Sequence, residues 1–412
     1  MKVLHICTVD TGGAYQAVRR FSESMELSDV ETDILVRTKM KEDSNCIEIF
    51  SNPFSKFLSK AKNGFNLLLS KGIICKDLFG TDISKNKKVL QADVIILHWV
   101  NSFLSCRSVE KLYKLHKPII WVMHDMWLYT GGCHYDQYCG RYRERCGACP
   151  LINSNKDIDI TRKNFWRKYT MIQAGNICIT APSKQMCEEA EKSLILENHT
   201  ITYVPNTVNT DIFKNLKKKQ EIRNRYGIKQ DKKVILFGAA DNGIANPTKG
   251  FQYLQEALKA LSTEGYMLAI FGQSNSDILK EISLEYKELG YIADEQQLAE
   301  IYNMVDVFVS PANQEAFGFT LCEAMACEIP VVAFPTNGAL EQIEHKKNGY
   351  IAKLHDAADL AEGINYCIEN ATKLGSNARK SVEAKYSYPR VGNVIATLCK
   401  QLVDSQEEKE QM

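Results

Sequence analysis

Glu315 and Glu323 flank the opening of a patterned helix near Gly318, and that arrangement can do chemistry. The apolar run Asp306 to Ser310 reads as a strand, so Glu315 falls in the loop after it and Glu323 on the helix, both near one hollow. The first turn of a helix carries unsatisfied N–H groups and the positive end of its dipole, which together attract anions. The plainer alternative has Glu315 capping the helix and Glu323 on a solvated face. Asn246-Pro247-Thr248-Lys249-Gly250-Phe251 opens a second helix. A lysine at a helix start opposes the dipole, so Lys249 calls for an anionic partner or else simply faces solvent. Gly12 and Gly13 follow the first strand, where glycine lets backbone approach a ligand at the carboxyl end of a parallel sheet. His124 ends the strand Ile119 to Met123 and precedes Asp125. Its ordinary pKa near 6.5 suits exchange of a proton with a substrate hydroxyl, and a satisfied structural histidine is the other reading.

Cys133, Cys139, Cys146 and Cys149 crowd a glycine-containing loop, 130–150. Four thiolates can surround a tetrahedral Zn²⁺, and Cys146-Gly147-Ala148-Cys149 has the two-residue gap of a zinc knuckle, although the other gaps are wider. Such a site is closed, hence structural, and His134 is a substitute ligand. Disulfides would need an oxidising compartment, an iron–sulfur cluster would need a use for electrons, and unligated thiols remain the baseline.

The elements that position these groups alternate almost end to end. Strands are expected at Lys2 to Cys7, Thr32 to Val36, Val94 to His98, Ile119 to Met123, Ile177 to Ala181 and Thr202 to Val204. The rhythm restarts at Lys233 to Phe237, Met267 to Phe271, Asp306 to Ser310 and Pro330 to Phe334. Amphipathic stretches lie between them, which argues for an α/β protein with parallel sheets. At 412 residues and 45% apolar side chains, two cores are expected. The lysine-rich stretch Lys214 to Arg225 sets the boundary: residues 1–214, then 215–387. A helix over 388–404 follows Pro389 and packs on either domain, and 405–412 is expected to fray. With 51 basic against 50 acidic residues, the chain lacks the field of a duplex-coating protein, and no nucleic-acid partner is expected. No run is long enough to span a bilayer and no signal peptide opens the chain, which predicts the cytoplasm. Between Pro53 and Gly80, Phe54, Phe57, Leu58, Phe65 and Leu68 recur at helical spacing among lysines. Such a stripe packs on a sheet or lies on the inner face of a membrane.

The segment from Glu315 through Glu323, with Ala324-Met325-Ala326 and Pro330-Val331-Val332, resembles the donor-binding signature of retaining glycosyltransferase family 4, and the resemblance covers essentially the whole chain. It implies the GT-B architecture: two Rossmann-like domains with parallel sheets facing across a cleft, the acceptor domain first and the nucleotide-sugar domain second. The implied reaction moves a sugar from a nucleoside-diphosphate sugar to a hydroxyl of a glycan or polyprenyl-linked acceptor, without a catalytic metal, in bacterial surface polysaccharide synthesis. By resemblance, Glu315 touches the donor sugar, Phe317, Gly318 and Phe319 offer backbone N–H groups, and Glu323 accepts from the ribose hydroxyls, for which a carboxylate has about four lone pairs. Lys249 then holds the diphosphate, Gly12 and Gly13 approach the donor phosphates or acceptor, His124 lies near the transferred sugar, and Gly338 belongs to another turn beside it. Two positions depart from the pattern. Phe237 to Asn242 lacks the usual arginine, and Glu328 stands where glycine is usual. A sugar epimerase, a phosphorylase or an inactive zinc-stabilised adaptor on the same fold are the alternatives.

Overall fold

In the computed structural model, described over residues 1–42, 45–50, 79–239, 243–273 and 276–411, the chain divides into two units. The first comprises Met1–Pro205 with Val391–Met412, and the second Asn206–Arg390. The lysine-rich basic stripe before Gly80, with its membrane reading, lies outside the described residues except at its last two positions.

The first unit is built on seven strands: β1 (Lys2–Val9), β2 (Glu31–Thr38), β3 (Ile47–Glu48), β4 (Val94–Leu97), β5 (Ile119–Val122), β6 (Cys178–Ala181) and β7 (Ile201–Tyr203). They run parallel in the order β3-β2-β1-β4-β5-β6-β7. The second unit has β8 (Lys233–Ala239), β9 (Tyr266–Gly272), β10 (Glu285–Gly290), β11 (Val307–Ser310), β12 (Val331–Ala333) and β13 (Tyr350–Ile351). These too are parallel, in the order β10-β9-β8-β11-β12-β13. Each sheet winds outward from its first strand in both directions, the doubly wound order whose reversal point opens a crevice at the carboxyl ends of the strands.

Continuous apolar strands follow from burial of both sheet faces. In β8, Val234 and Leu236 belong to one core and Ile235 and Phe237 to the other, with helices covering each side. Every strand expected from the sequence is present, with ends differing by one or two residues. Three were not expected: β3 and β13 are two residues long, and β10 is a polar edge strand, Glu285-Tyr286-Lys287-Glu288-Leu289-Gly290.

The second unit starts at Asn206 rather than at residue 215. Val208 donates its N–H to the Tyr386 carbonyl, and Phe213 and Ile222 are buried in that unit's core. The polar stretch therefore decorates a segment that is anchored at its few apolar residues. The closing helix, Tyr388–Gln411, continues through the residues expected to fray. Val391, Ile395 and Cys399 are buried along it, and a Cβ on Gly392 would lie 2.0 Å from the Ser24 carbonyl oxygen. Among the described residues no helix is long and apolar enough to cross a membrane.

Glu328 has φ +63°, so the position where glycine is usual keeps a left-handed backbone. Its carboxylate accepts a bond from Asn215 Nδ2 at 2.8 Å. A non-glycine residue in this region costs about 1 kcal/mol. Glu328→Gly is expected to raise the unfolding free energy by roughly 0.5–1 kcal/mol net of the lost bond, measured by urea titration. A decrease would mean the bond to Asn215 outweighs the backbone strain.

Candidate functional site

Reversal of strand order in the second sheet falls between β8 and β11, and the two loops leaving those strands carry Lys249 and Glu315. Lys249 Nζ stands 3.1 Å from Glu315 Oε2, with both side chains only partly exposed. Several contacts force this meeting. The Asn313 N–H donates to the Thr248 carbonyl at 2.9 Å, and Asn313 Nδ2 to the Pro247 carbonyl at 2.9 Å. Gly250, at φ +69°, lets the loop pass so close to Pro311 that a Cβ would lie 1.8 Å from its carbonyl oxygen.

A third loop, after β12, closes on the same place. The Gly338 N–H donates to the Glu315 carbonyl at 3.0 Å, and Gln342 Nε2 donates to the Phe317 carbonyl at 2.5 Å. A Cβ on Gly338 would meet that carbonyl oxygen at 1.9 Å, so only glycine fits. Gly318 has φ +80° and starts the helix Phe319–Ala326, which no side chain caps. The helix Phe251–Leu258 likewise starts without a side-chain cap, whereas Asp294, Thr336 and Asp356 cap helices elsewhere in this unit. An uncapped helix start keeps its N–H groups directed at whatever lies beyond.

Thus Lys249, Glu315, Phe317, Gly318 and Gly338 form one neighbourhood. Glu323 lies deeper, on the buried face of its helix at 4% exposure, and accepts a bond from the Tyr302 hydroxyl at 3.0 Å. Tyr302, itself fully buried, was not singled out by sequence because a tyrosine on an amphipathic helix reads as core. Phe237 to Ala239, the described part of the strand end after which an arginine is usual, carries no basic residue.

The first unit repeats the arrangement at its own reversal point, between β1 and β4. Gly12, at φ +81°, and Gly13 begin the helix Gly12–Glu26, where Thr11 makes no side-chain cap bond; a Cβ on either glycine would meet nothing within 4 Å. Beside them three imidazoles stack across β1, β4 and β5. His5 Nδ1 lies 2.9 Å from His98 Nε2, and His98 Nδ1 lies 3.0 Å from His124 Nε2. Ring centroids are 5.2 Å apart at both steps. His5 Nε2, at the inner end, is buried with no hydrogen-bond partner.

Burial drives the charged form out of this stack: His5 is pushed down to about 3 and His124 to about 4, and His98 also falls, through burial and then through its two histidine neighbours. Next to His124, Asp125 Oδ2 lies 2.7 Å from His134 Nδ1, while its Oδ1 accepts the Trp127 N–H at 2.8 Å. Burial alone would raise the Asp125 carboxyl, but His134 and that N–H outweigh it and hold it below the usual range. Sequence reasoning found His124 and missed His5, His98 and the Asp125–His134 pair. A histidine within or just past an apolar strand run was the available signal: His5 lies inside β1, and His98 and His124 follow the ends of β4 and β5.

Cys133, Cys139, Cys146 and Cys149 all line one small cavity, and none is in a disulfide. Among the described residues no group of three or more His, Cys, Asp or Glu side chains is already gathered in metal-ligating geometry.

Comparison with known proteins places these features. Residues 218–381 match the family of glycosyl transferases group 1. An uncharacterized glycosyltransferase of Methanocaldococcus jannaschii is 27% identical over 62% of this chain and 66% of its own length. The putative colanic acid biosynthesis glycosyl transferase WcaC of Escherichia coli (strain K12) is 24% identical over 62% of each chain. The chain thus spans a little under two thirds of either relative. The crystal structure of Anabaena HepE in complex with UDP superposes with a TM-score of 0.68 at 16% identity, covering 97% of this chain and 100% of that one. With both units doubly wound and parallel, the architecture is that of the GT-B glycosyltransferases, and the second unit carries the stretch, residues 218–381, that matches glycosyl transferases group 1.

Proposed function

We propose that this protein transfers a sugar, of hexose type, from a nucleoside-diphosphate sugar to a hydroxyl of a glycan or lipid-linked acceptor, with retention at the anomeric carbon. The observation that carries the reading is the pairing of Lys249 with Glu315 at 3.1 Å beside two uncapped helix starts. An ammonium and backbone N–H groups neutralise a leaving diphosphate, and the carboxylate next to them takes hydroxyls of the sugar. The UDP held by the structurally similar HepE supports a nucleotide donor, and the colanic acid relative supports surface polysaccharide as the product, made at the cytoplasmic face of the membrane.

In this reading the acceptor oxygen forms its bond to the anomeric carbon on the face that the diphosphate leaves. The acceptor's proton passes to the departing phosphate oxygen, so no strong side-chain base is required. Lys249 and the start of the Phe319–Ala326 helix stabilise the charge that develops on the leaving group, the role a divalent ion plays in other transferases. Glu323 receives the ribose hydroxyls and Gly338 gives the sugar room. In the first unit, Gly12, Gly13 and His124 meet the acceptor.

A panel of nucleoside-diphosphate sugars, with nucleotide release as the readout and excess chelator in parallel, tests the proposal. Turnover of one donor, unchanged by chelator, is expected; binding of none would remove it. Glu323→Gln is expected to weaken affinity for the selected nucleotide by about 1–3 kcal/mol, because it replaces an acceptor with a mismatched amide. Calorimetry reads this directly, and an unaltered affinity would take the ribose away from Glu323.

A further inference from the structure

The four cysteines of the 130–150 loop are separated by gaps of unequal length, yet the fold turns all of them toward one space. Cys133, Cys139, Cys146 and Cys149 line a cavity of about 10 Å³, room for a single water-sized body. No carboxylate or imidazole shares that lining. The other walls come from glycine, Leu151, Thr161 and Arg141.

Three of the sulfurs also face backbone N–H groups. Cys146 Sγ accepts the Gly131 N–H at 3.2 Å. The N–H of Arg141 faces Cys139 and those of Leu151 and Ile152 face Cys149, while the Thr130 hydroxyl donates to the Cys133 carbonyl at 2.8 Å. Burial raises all four thiols and outweighs those N–H groups, so four thiolates coexist in this space only with positive charge among them. Arg141 lies at the rim, and Lys168 acts on Cys133 and Cys146.

The backbone is arranged to hold them there. Cys146, Gly147 and Ala148 take positive φ in succession, 52°, 100° and 43°. Asp159 accepts the N–H groups of Cys149, Thr161 and Arg162, tying the loop to the following helix. A Cβ on Gly131 would crowd the Cys146 Cβ at 3.0 Å, so that glycine lets the first and third sulfurs approach.

We propose that Cys133, Cys139, Cys146 and Cys149 bind one Zn²⁺ as a closed tetrahedral thiolate site. A set made only of thiolates selects zinc over magnesium or calcium, and with every position filled by protein the ion is structural. The four thiols give up their protons to solvent as the four Zn–S bonds form, with no change of oxidation state. The site fixes the loop from which His134, adjacent to Cys133, reaches Asp125 at 2.7 Å. The inference stands apart from the proposed transferase activity.

Elemental analysis of protein purified in reducing buffer without added metal is the test, with about one zinc per chain expected. Titration with a mercurial that blocks thiols should release that zinc. Replacement by Co²⁺ should give the visible bands and intense thiolate-to-metal absorption of a tetrahedral sulfur site. Cys146→Ser should lose most of the zinc, and Cys187→Ser, outside the loop, should keep it. Should the serine variant fail to fold, the metal content and cobalt spectrum of the unaltered protein decide alone. Iron in place of zinc, two disulfides by mass spectrometry under non-reducing conditions, or no metal together with no cobalt uptake would each overturn the assignment.

Discussion

Replacing Lys249 by alanine is expected to lower the rate of nucleotide release from the preferred donor by a factor of about 10² to 10³. The residue contributes an ammonium 3.1 Å from Glu315, at the crevice where β8 and β11 diverge. Its charge is worth most when the diphosphate departs, so the loss should fall on kcat and kcat/KM together. Because no basic residue stands on Phe237 to Ala239, that end of the strand offers no second cation to share the load. Lys249 is partly exposed and its ion pair with Glu315 is partly solvated, so the melting temperature should stay within about 2 °C. A variant that raised KM and left kcat intact would show that Lys249 holds the ground state only, and the leaving-group role would have to be abandoned.

The second large effect is on stability. His5 and His98 are buried at 0% and 2% exposure, and burial pushes their pKa values down, that of His5 to about 3. In the unfolded chain each titrates near 6.5. As pH falls below that value the unfolded state takes up protons that the folded state refuses, so stability present at neutral pH is lost progressively from about 6.5 downward. His5 alone costs up to about 1.4 kcal/mol per pH unit, or about 2 kcal/mol between pH 6.5 and 5, and His98, lowered in the same direction, adds to it. His124 adds to this in part, being less buried and facing Asp125. All four tryptophans, Trp99, Trp121, Trp127 and Trp166, lie in the first unit, so urea unfolding followed by their fluorescence isolates it. Midpoints that coincide at pH 7.5 and pH 5 would contradict a neutral buried stack.

The particular elements show what a linear chain discloses. Val94-Ile95-Ile96-Leu97 and Ile119-Ile120-Trp121-Val122 are legible as strands because burial on both faces demands unbroken apolar runs. Glu285–Gly290 is not, because an edge strand can alternate charged residues and still pair with β9. The start of the second unit at Asn206 was hidden because it rests on bonds between residues far apart in sequence, Thr207 and Val208 with Tyr386 and Thr210 and Phe213 with Arg379. The closing helix outlasts its apolar stripe, since helix can propagate on charged side chains once packing has nucleated it. Lys249 and Glu315 were readable because each sits at a punctuated loop next to a strand. His5 and His98 were not, because their meaning depends on strand order, which sets β1, β4 and β5 side by side and brings imidazoles 93 residues apart to 2.9 Å.

That imidazole stack has a polarity. Each neutral ring holds one proton, and two bonds link three rings, so all three tautomers are set jointly. His5 Nε2 has no partner and no water-facing surface, and a buried lone pair left alone is tolerated better than a buried N–H left alone. The protons therefore sit on His5 Nδ1 and His98 Nδ1, each directed toward the next ring, and His124 keeps its own on Nδ1. An orphaned atom deep inside the sheet thus dictates that the outermost ring carries its proton on Nδ1, where it offers a hydrogen bond and has no lone pair with which to take a proton away.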